Sequence, residues 1–150
     1  MENNNDVNLR ELRYNELVSI LNMIESDSDL KDTFGGGANT RKRLANSGYS
    51  ALIRNKIKPV GFIMVVYNER TSKYEIDMGV LKEHRNKGYG TRALDLLRDI
   101  ILRENVKVEV QVKKTNVQAI KSVIKNGFVL CRQDKLCNYY TIKEDSKQIR

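Results

Sequence analysis

The sequence predicts an α/β fold: a mixed, mostly antiparallel sheet of about seven strands flanked by about four helices. Runs of alternating apolar residues mark strands before, between and after two amphipathic helices. A helix also joins the strand at 73–81 to the strand at 106–112, which implies a right-handed crossover and a parallel pair. Short turns at Asn55-Lys56 and Asp134-Lys135 join further strands as hairpins.

In chain order, residues 6–10 (Val7, Leu9) read as a short first strand. Residues 13–25 place Leu17, Ile20, Leu21 and Ile24 on one helical face. Ser26 to Ser47 reads as a mobile polar surface loop. It contains the run Gly35-Gly36-Gly37, costly to hold in one conformation, and a short helix around 39–46. Strands follow at 49–54, 58–67 and 73–81. In the last of these Tyr74, Ile76, Met78 and Val80 share one face and Glu75, Asp77, Gly79 and Leu81 the other. A turn at 82–90 leads to a helix over 91–104, whose Ala93, Leu94, Leu97, Ile100 and Ile101 face a core. Val106, Val108, Val110 and Val112 alternate in the next strand. A helix over 116–126 closes on Asn126-Gly127, and strands at 128–133 and 136–142 form the final hairpin.

With 150 residues, 40% hydrophobic and 31% charged, the chain reads as a single domain spanning 1–150, with 1–5 and 143–150 as frayed ends. No run of about 18 apolar residues predicts a membrane span. A polar, acidic N-terminus unlike a secretory signal points to the cytoplasm. Cys131 and Cys137 are the only cysteines, too few for a zinc site or a disulfide framework. They are expected as buried or half-buried thiols, and no metal is expected. The net charge of +8 suits an anionic cofactor, a membrane surface or a nucleic acid. Because the basic residues are scattered among acids, charge alone argues only weakly for nucleic acid.

The most specific local signal is Arg85-Asn86-Lys87-Gly88-Tyr89-Gly90, between a strand and a helix. Glycines at this spacing let backbone N–H groups converge, and the helix adds its unpaired donors and positive dipole end. Arg85 and Lys87 add charge. This is a phosphate- or pyrophosphate-binding turn, though neither a P-loop nor a dinucleotide fingerprint is present.

On this order of elements the chain resembles the GNAT superfamily of acyl-CoA-dependent N-acetyltransferases. Arg85 to Gly90 fits the family pattern Gln/Arg-x-x-Gly-x-Gly/Ala after the fourth strand. Asn116-Val117-Gln118-Ala119 through Asn126-Gly127-Phe128 fits a second landmark, and the likeness covers roughly residues 6 to 142. It implies acetyl-CoA as co-substrate, a splayed central parallel pair and an amine acceptor. Arg85, Asn86, Lys87, Gly88, Tyr89, Gly90 and Thr91 would hold the pyrophosphate. The backbone of Val80 and Leu81 would meet the pantetheine arm, with one of their N–H groups stabilising an oxyanion. Asn116, with Ala119 in the same helical turn, would also meet the coenzyme.

The acceptor amine must lose a proton, and Glu75 and Asp77 are the candidate bases, with solvated cross-strand ion pairs as the alternative. Where many family members carry a Tyr general acid, this chain has Val123. Tyr139 and Tyr140 are the substitutes considered, against a packing role for both. His84 reads as an exposed turn residue. Glu25, Asp27, Asp29 and Asp32 form an acidic segment suited to a cationic acceptor such as a polyamine, an aminoglycoside or a basic protein terminus, or else a solvated loop. The reading is thus an N-acetyltransferase acting through a direct ternary complex, as a monomer or homodimer. A non-catalytic acyl-CoA sensor is the alternative, and a basic nucleic-acid-binding domain stands further off.

Overall fold

The computed structural model describes residues 6–35 and 37–142, so the expected frayed ends at 1–5 and 143–150 lie outside the described residues. Seven strands, β1 (Val7–Glu11), β2 (Ser47–Asn55), β3 (Lys58–Asn68), β4 (Lys73–Val80), β5 (Val108–Lys113), β6 (Phe128–Gln133) and β7 (Cys137–Ile142), form one sheet. Their spatial order is β1-β2-β3-β4-β5-β7-β6, and only β4 and β5 run parallel. Helices α1 (Val18–Ser26), α2 (Ser28–Phe34), α3 (Gly37–Ala45), α4 (Tyr89–Glu104) and α5 (Val117–Lys125) complete the fold.

Two apolar cores lie on opposite faces of the sheet. Leu94, Leu97 and Ile101 of α4 and Val123 of α5 pack with Ile53, Ile63, Ile76 and Val110 on one face. Ile20, Ile24, Leu30 and Leu44 of α1 to α3 pack with Leu52, Phe62, Met64 and Val66 on the other, and no residue of β5 to β7 enters that second core. The period-2 strands thus bury both faces of β2 and β3, whereas one face of β5 to β7 carries polar side chains.

The largest correction concerns Ser26 to Ser47. The short helix expected around 39–46 is present as α3, but Ser28–Phe34, expected as mobile loop, forms a further helix, α2, which makes five helices among the described residues instead of about four. Asp27 caps α2 by accepting from the N–H groups of Asp29 and Leu30. Gly35, at φ 78°, ends that helix in the left-handed conformation its missing Cβ allows. Only Leu30 of α2, and Thr40 and Leu44 of α3, are buried. The first predicted helix is divided as well, into a 3-10 turn at Tyr14–Glu16 and α1. Of the two thiols, Cys137 is buried as expected, but Cys131 is exposed.

The parallel pair is brief. Tyr74 pairs with Val108 and Glu75 with Glu109, and no pairing follows. Eight residues of β4 stay bonded to β3, while β5 stays bonded to β7 from Glu109 to Lys113. Each strand follows its own antiparallel partner, so the two diverge toward their carboxyl ends and open a cleft between Ile76–Val80 of β4 and the far half of β5.

Candidate active site

Beyond Val80 the chain makes a 3-10 turn at Lys82–His84 and then bends through Asn86 (φ 63°) and Gly88 (φ 82°) into α4. Both are left-handed positions, cheap for Gly and tolerable for Asn. The first helical bond runs from the N–H of Arg92 to the carbonyl of Gly88, 3.1 Å. The N–H groups of Gly90 and Thr91 therefore precede any intrahelical acceptor, at the positive end of a 16-residue helix. A Cβ on Gly90 would stand 3.3 Å from Met78 Cε, so this glycine seats the helix start directly on β4. Tyr89 contributes backbone only, because its ring is buried and its hydroxyl accepts from Asn55 Nδ2 at 3.0 Å. Asn86 and Lys87 are exposed on the rim.

A groove of about 560 Å³ runs from Gly88 and Thr91 between α4 and α5. Arg92, Lys121 and Lys125 line it, with Asp95 as the opposing acid, paired to Arg92 at 2.6 Å. The Thr91 hydroxyl meets the Ser122 hydroxyl at 2.6 Å, and Asn126 Nδ2 donates to the Thr91 carbonyl at 3.0 Å, locking the two helices together. Convergent N–H groups backed by excess positive charge accept a phosphorylated ligand. Arg92, Lys121 and Lys125 were missed in the sequence. The four-residue spacing of the two lysines on one helical face was the available signal.

Arg85 is directed elsewhere. Its Nε donates to the Val80 carbonyl at 2.9 Å, Nη1 to Asp29 Oδ2 at 2.8 Å and Nη2 to Asp27 Oδ2 at 2.9 Å. Asp27 also accepts from the Lys82 N–H at 3.0 Å. Burial opposes ionisation of Asp27, but the Arg85 guanidinium and the N–H groups of Leu30 and Lys82 outweigh it and hold the carboxyl below its ordinary range. Three of the four acids of the segment are likewise committed, Asp27 and Asp29 to Arg85 and Glu25 to Lys31 and the Gly37 N–H, while Asp32 is exposed. The expected acidic wall for a cationic acceptor is largely a structural bracket.

In the cleft, the Leu81 N–H donates to the Val60 carbonyl at 2.9 Å. Hydrogen-bonded pairs alternate along an antiparallel ladder, so Val80 directs its N–H and C=O toward the cleft. Arg85 already meets that carbonyl; the N–H lies beside it. Asn116 caps α5 by accepting from the Ala119 N–H at 3.2 Å, which commits its Oδ1 rather than its Nδ2.

Glu75 and Asp77 lie two residues apart on the face opposite α4, and α3 brings Arg43 onto both. Arg43 Nη2 donates to Glu75 Oε1 at 3.0 Å and to Asp77 Oδ1 at 2.9 Å, and Nε donates to Asp77 Oδ2 at 2.5 Å. Burial holds the Asp77 carboxyl above its ordinary range, with Arg43 offsetting part of the rise. Asn68 Nδ2 also donates to Glu75. Arg43 was not foreseen: the short helix expected around 39–46 carries it, but nothing in the sequence brings that helix onto β4.

The two tyrosines are separated by the strand's alternation. Tyr140 is buried in the α4-side core, its hydroxyl accepting from Asn138 Nδ2. Tyr139, on the opposite face, donates its hydroxyl to Asp134 at 2.7 Å beneath the Arg132 guanidinium. That bond to Asp134, helped by partial burial, raises the Tyr139 phenol above its ordinary value. Val123 is buried and offers no hydroxyl.

Fold and site together define a mixed α/β protein with an anion-attracting helix start at the mouth of a splayed parallel pair. The acetyltransferase (GNAT) family matches residues 14–128, and the chain belongs to that family. A spermidine N-acetyltransferase from Vibrio cholerae is similar in structure, with TM-score 0.67 and 17% identity over 93% of this chain and 94% of that one. An acetyltransferase from Agrobacterium tumefaciens superposes at TM-score 0.70, with 16% identity over 92% and 91% of the two chains. RimL, a ribosomal L7/L12 α-N-protein acetyltransferase solved with coenzyme A, superposes at 0.67, with 12% identity over 91% and 93%. A search of the curated proteins returned no match. No helix among the described residues is long and apolar enough to cross a membrane.

Proposed function

We propose that the protein transfers an acetyl group from acetyl-CoA to a primary amine in a direct ternary complex. The observation that carries this reading is the early end of β4–β5 pairing, which leaves the Val80 N–H on the cleft side just before the Gly88 turn. The N–H groups of Gly88, Gly90 and Thr91 would hold the pyrophosphate, with Lys87, Arg92, Lys121 and Lys125 supplying charge. Asn116 Nδ2 would meet the pantetheine arm. Acetyl-CoA supplies the activated acyl group as a thioester.

Val80 N–H is the donor for negative charge developing on the acyl oxygen, a contribution worth about 3–4 kcal/mol where one such donor is removed. Arg85 fixes that peptide by holding its carbonyl, so its guanidinium acts on the cleft rather than on phosphate. The Glu75–Asp77 pair stands upstream on the same strand, near the path by which an amine proton leaves. A thiol with pKa near 8.5 departs as thiolate without a strong acid, so Val123 in place of Tyr is compatible with turnover. Neither cysteine is placed as an acyl acceptor: Cys137 is buried beside Gln111, and Cys131 lies on the edge strand.

Two measurements test the reading together: calorimetric titration with acetyl-CoA and free-thiol release across a panel of amines. Gly88→Glu places a carboxylate where the pyrophosphate belongs and should abolish both signals in a folded protein. Binding without thiol release from any amine would favour the acyl-CoA sensor instead.

A further inference from the structure

We infer that Arg43 fills the cation site that Glu75 and Asp77 would otherwise present, so that the enzyme selects acceptor amines of low basicity. The favoured acceptor is the α-amino group of a peptide or amino acid, over lysine side chains and polyamines. This inference rests on the acetyl-transfer reading above and names the acceptor class for that site.

The carboxylates on the acceptor side of the open sheet are Glu75 and Asp77 of β4 and Glu109 of β5, which lies beside Glu75 in register. Arg43 takes both carboxylates of β4. Glu109 is taken by Lys73 at 2.8 Å and Arg132 at 3.0 Å. Three carboxylates thus face three cations, and the face carries no net negative charge for a second or third ammonium group. Of the adjoining acids, Asp27 and Asp29 are committed to Arg85 and Glu25 to Lys31, and Asp32 lies exposed on α2. A polyamine would have to displace a guanidinium that makes three hydrogen bonds.

The same pairing bears on the proton. An amine attacks only when neutral, and Arg43 keeps both carboxylates hydrogen-bonded to its own guanidinium rather than free to receive a strongly basic ammonium. At pH 7 about 10–15% of α-amino groups are neutral, against roughly one lysine-type amine in 2,500. With Glu75, Asp77 and Glu109 all held by cations, none of these three is free to lower that handicap, and it passes into kcat/KM as a difference of up to about 250–400-fold. Arg43 comes from α3, between the Gly35–Gly37 segment and β2, and is less than a third exposed.

Thiol release from acetyl-CoA should be measured at pH 7 with a lysine-free tripeptide, an Nα-blocked lysine peptide and spermidine. The wild-type protein should show kcat/KM for the tripeptide at least 100-fold above the other two, rising with pH until near pH 8. Arg43→Gln should narrow that ratio tenfold or more by exposing the two carboxylates, while Arg43→Lys keeps most of it. Spermidine or blocked lysine used as well as the tripeptide overturns the inference, as does an unchanged ratio in folded Arg43→Gln. If Arg43→Gln does not fold, the wild-type ratio decides. Acetyl-CoA binding with no thiol release from any amine removes the acetyl-transfer reading, and this inference with it.

Discussion

Replacing Asp27 by Asn isolates the contact that joins the helical layer to the phosphate turn. The carboxylate is 6% exposed and takes four hydrogen bonds. Oδ1 accepts from the N–H groups of Asp29 and Leu30, and Oδ2 from the Lys82 N–H and Arg85 Nη2. An amide keeps one oxygen and turns an NH2 toward two donors. If the oxygen stays on the α2 cap, one charge-assisted bond worth about 1.5–3 kcal/mol is lost and the Lys82 N–H is left without its acceptor, at about 1–3 kcal/mol. Arg85 keeps Asp29 and the Val80 carbonyl and is partly open to water, so the net loss falls to roughly 2–4 kcal/mol. A domain of typical stability, about 5–15 kcal/mol, survives this folded, with Tm lower by roughly 5–15 °C. Urea unfolding of Asp27→Asn, Arg85→Met and the double variant measures the coupling directly. It should reach about 1.5 kcal/mol or more. Additivity within about 0.5 kcal/mol would refute the bracket.

Three further outcomes follow from other contacts. Gly61→Ala puts a Cβ 2.2 Å from the Gly79 carbonyl oxygen, backbone against backbone, and should cost about 3 kcal/mol; an unchanged urea midpoint contradicts the close approach of β3 and β4. For Glu109, burial opposes ionisation, but Lys73 and Arg132 prevail and hold the carboxyl below its ordinary value. That stabilisation is complete above about pH 4.3 and lost as pH falls through the lowered native value, so the wild-type advantage over Glu109→Gln should shrink from pH 7 to pH 3. A constant difference contradicts the assignment. Tyr139→Phe removes a hydroxyl committed to Asp134 and should leave kcat within about twofold, whereas a loss on the order of 100-fold or more would make Tyr139 the general acid.

The elements legible in the sequence are those whose burial is one-sided and repeated. Leu94, Leu97 and Ile101 on α4, and Val108, Val110 and Val112 on β5, repeat at the helical and strand periods because each element buries one face. The Gly88 turn was legible for a different reason, since only glycine holds that conformation cheaply at a helix start. Helices α2 and α3 bury one or two residues each, too few for a period; α3 was still read as a short helix around 39–46, whereas α2, whose only signals were the Asp27 cap and the Gly35 stop, was not. Side-chain partners were harder still. Arg85 in a phosphate turn reads as a phosphate ligand, and only the fold shows Asp27, 58 positions away, taking that charge. The same holds for Glu75 and Asp77, whose place on one face of the strand leading to the site suggested a base, while Arg43 lies more than 30 positions upstream.

Which N–H faces the cleft follows from parity rather than residue type. Val80 and Leu81 are both apolar, adjacent and at the end of one strand, so neither composition nor periodicity separates them as backbone donors. One bond, from the Leu81 N–H to the Val60 carbonyl, assigns every odd residue of β4 to β3 and every even residue to the other side. The exposed donors then depend on how far β5 follows β4. Had the pairing continued past Glu75 and Glu109, β5 would cover Met78 and Val80 and close the cleft. The divergence is enforced from outside, by the β3 ladder along β4 and the β7 ladder along β5. The reactive edge is therefore a property of the whole sheet, and a substitution in β7 that loosens β5 should act on the cleft without touching any residue that lines it.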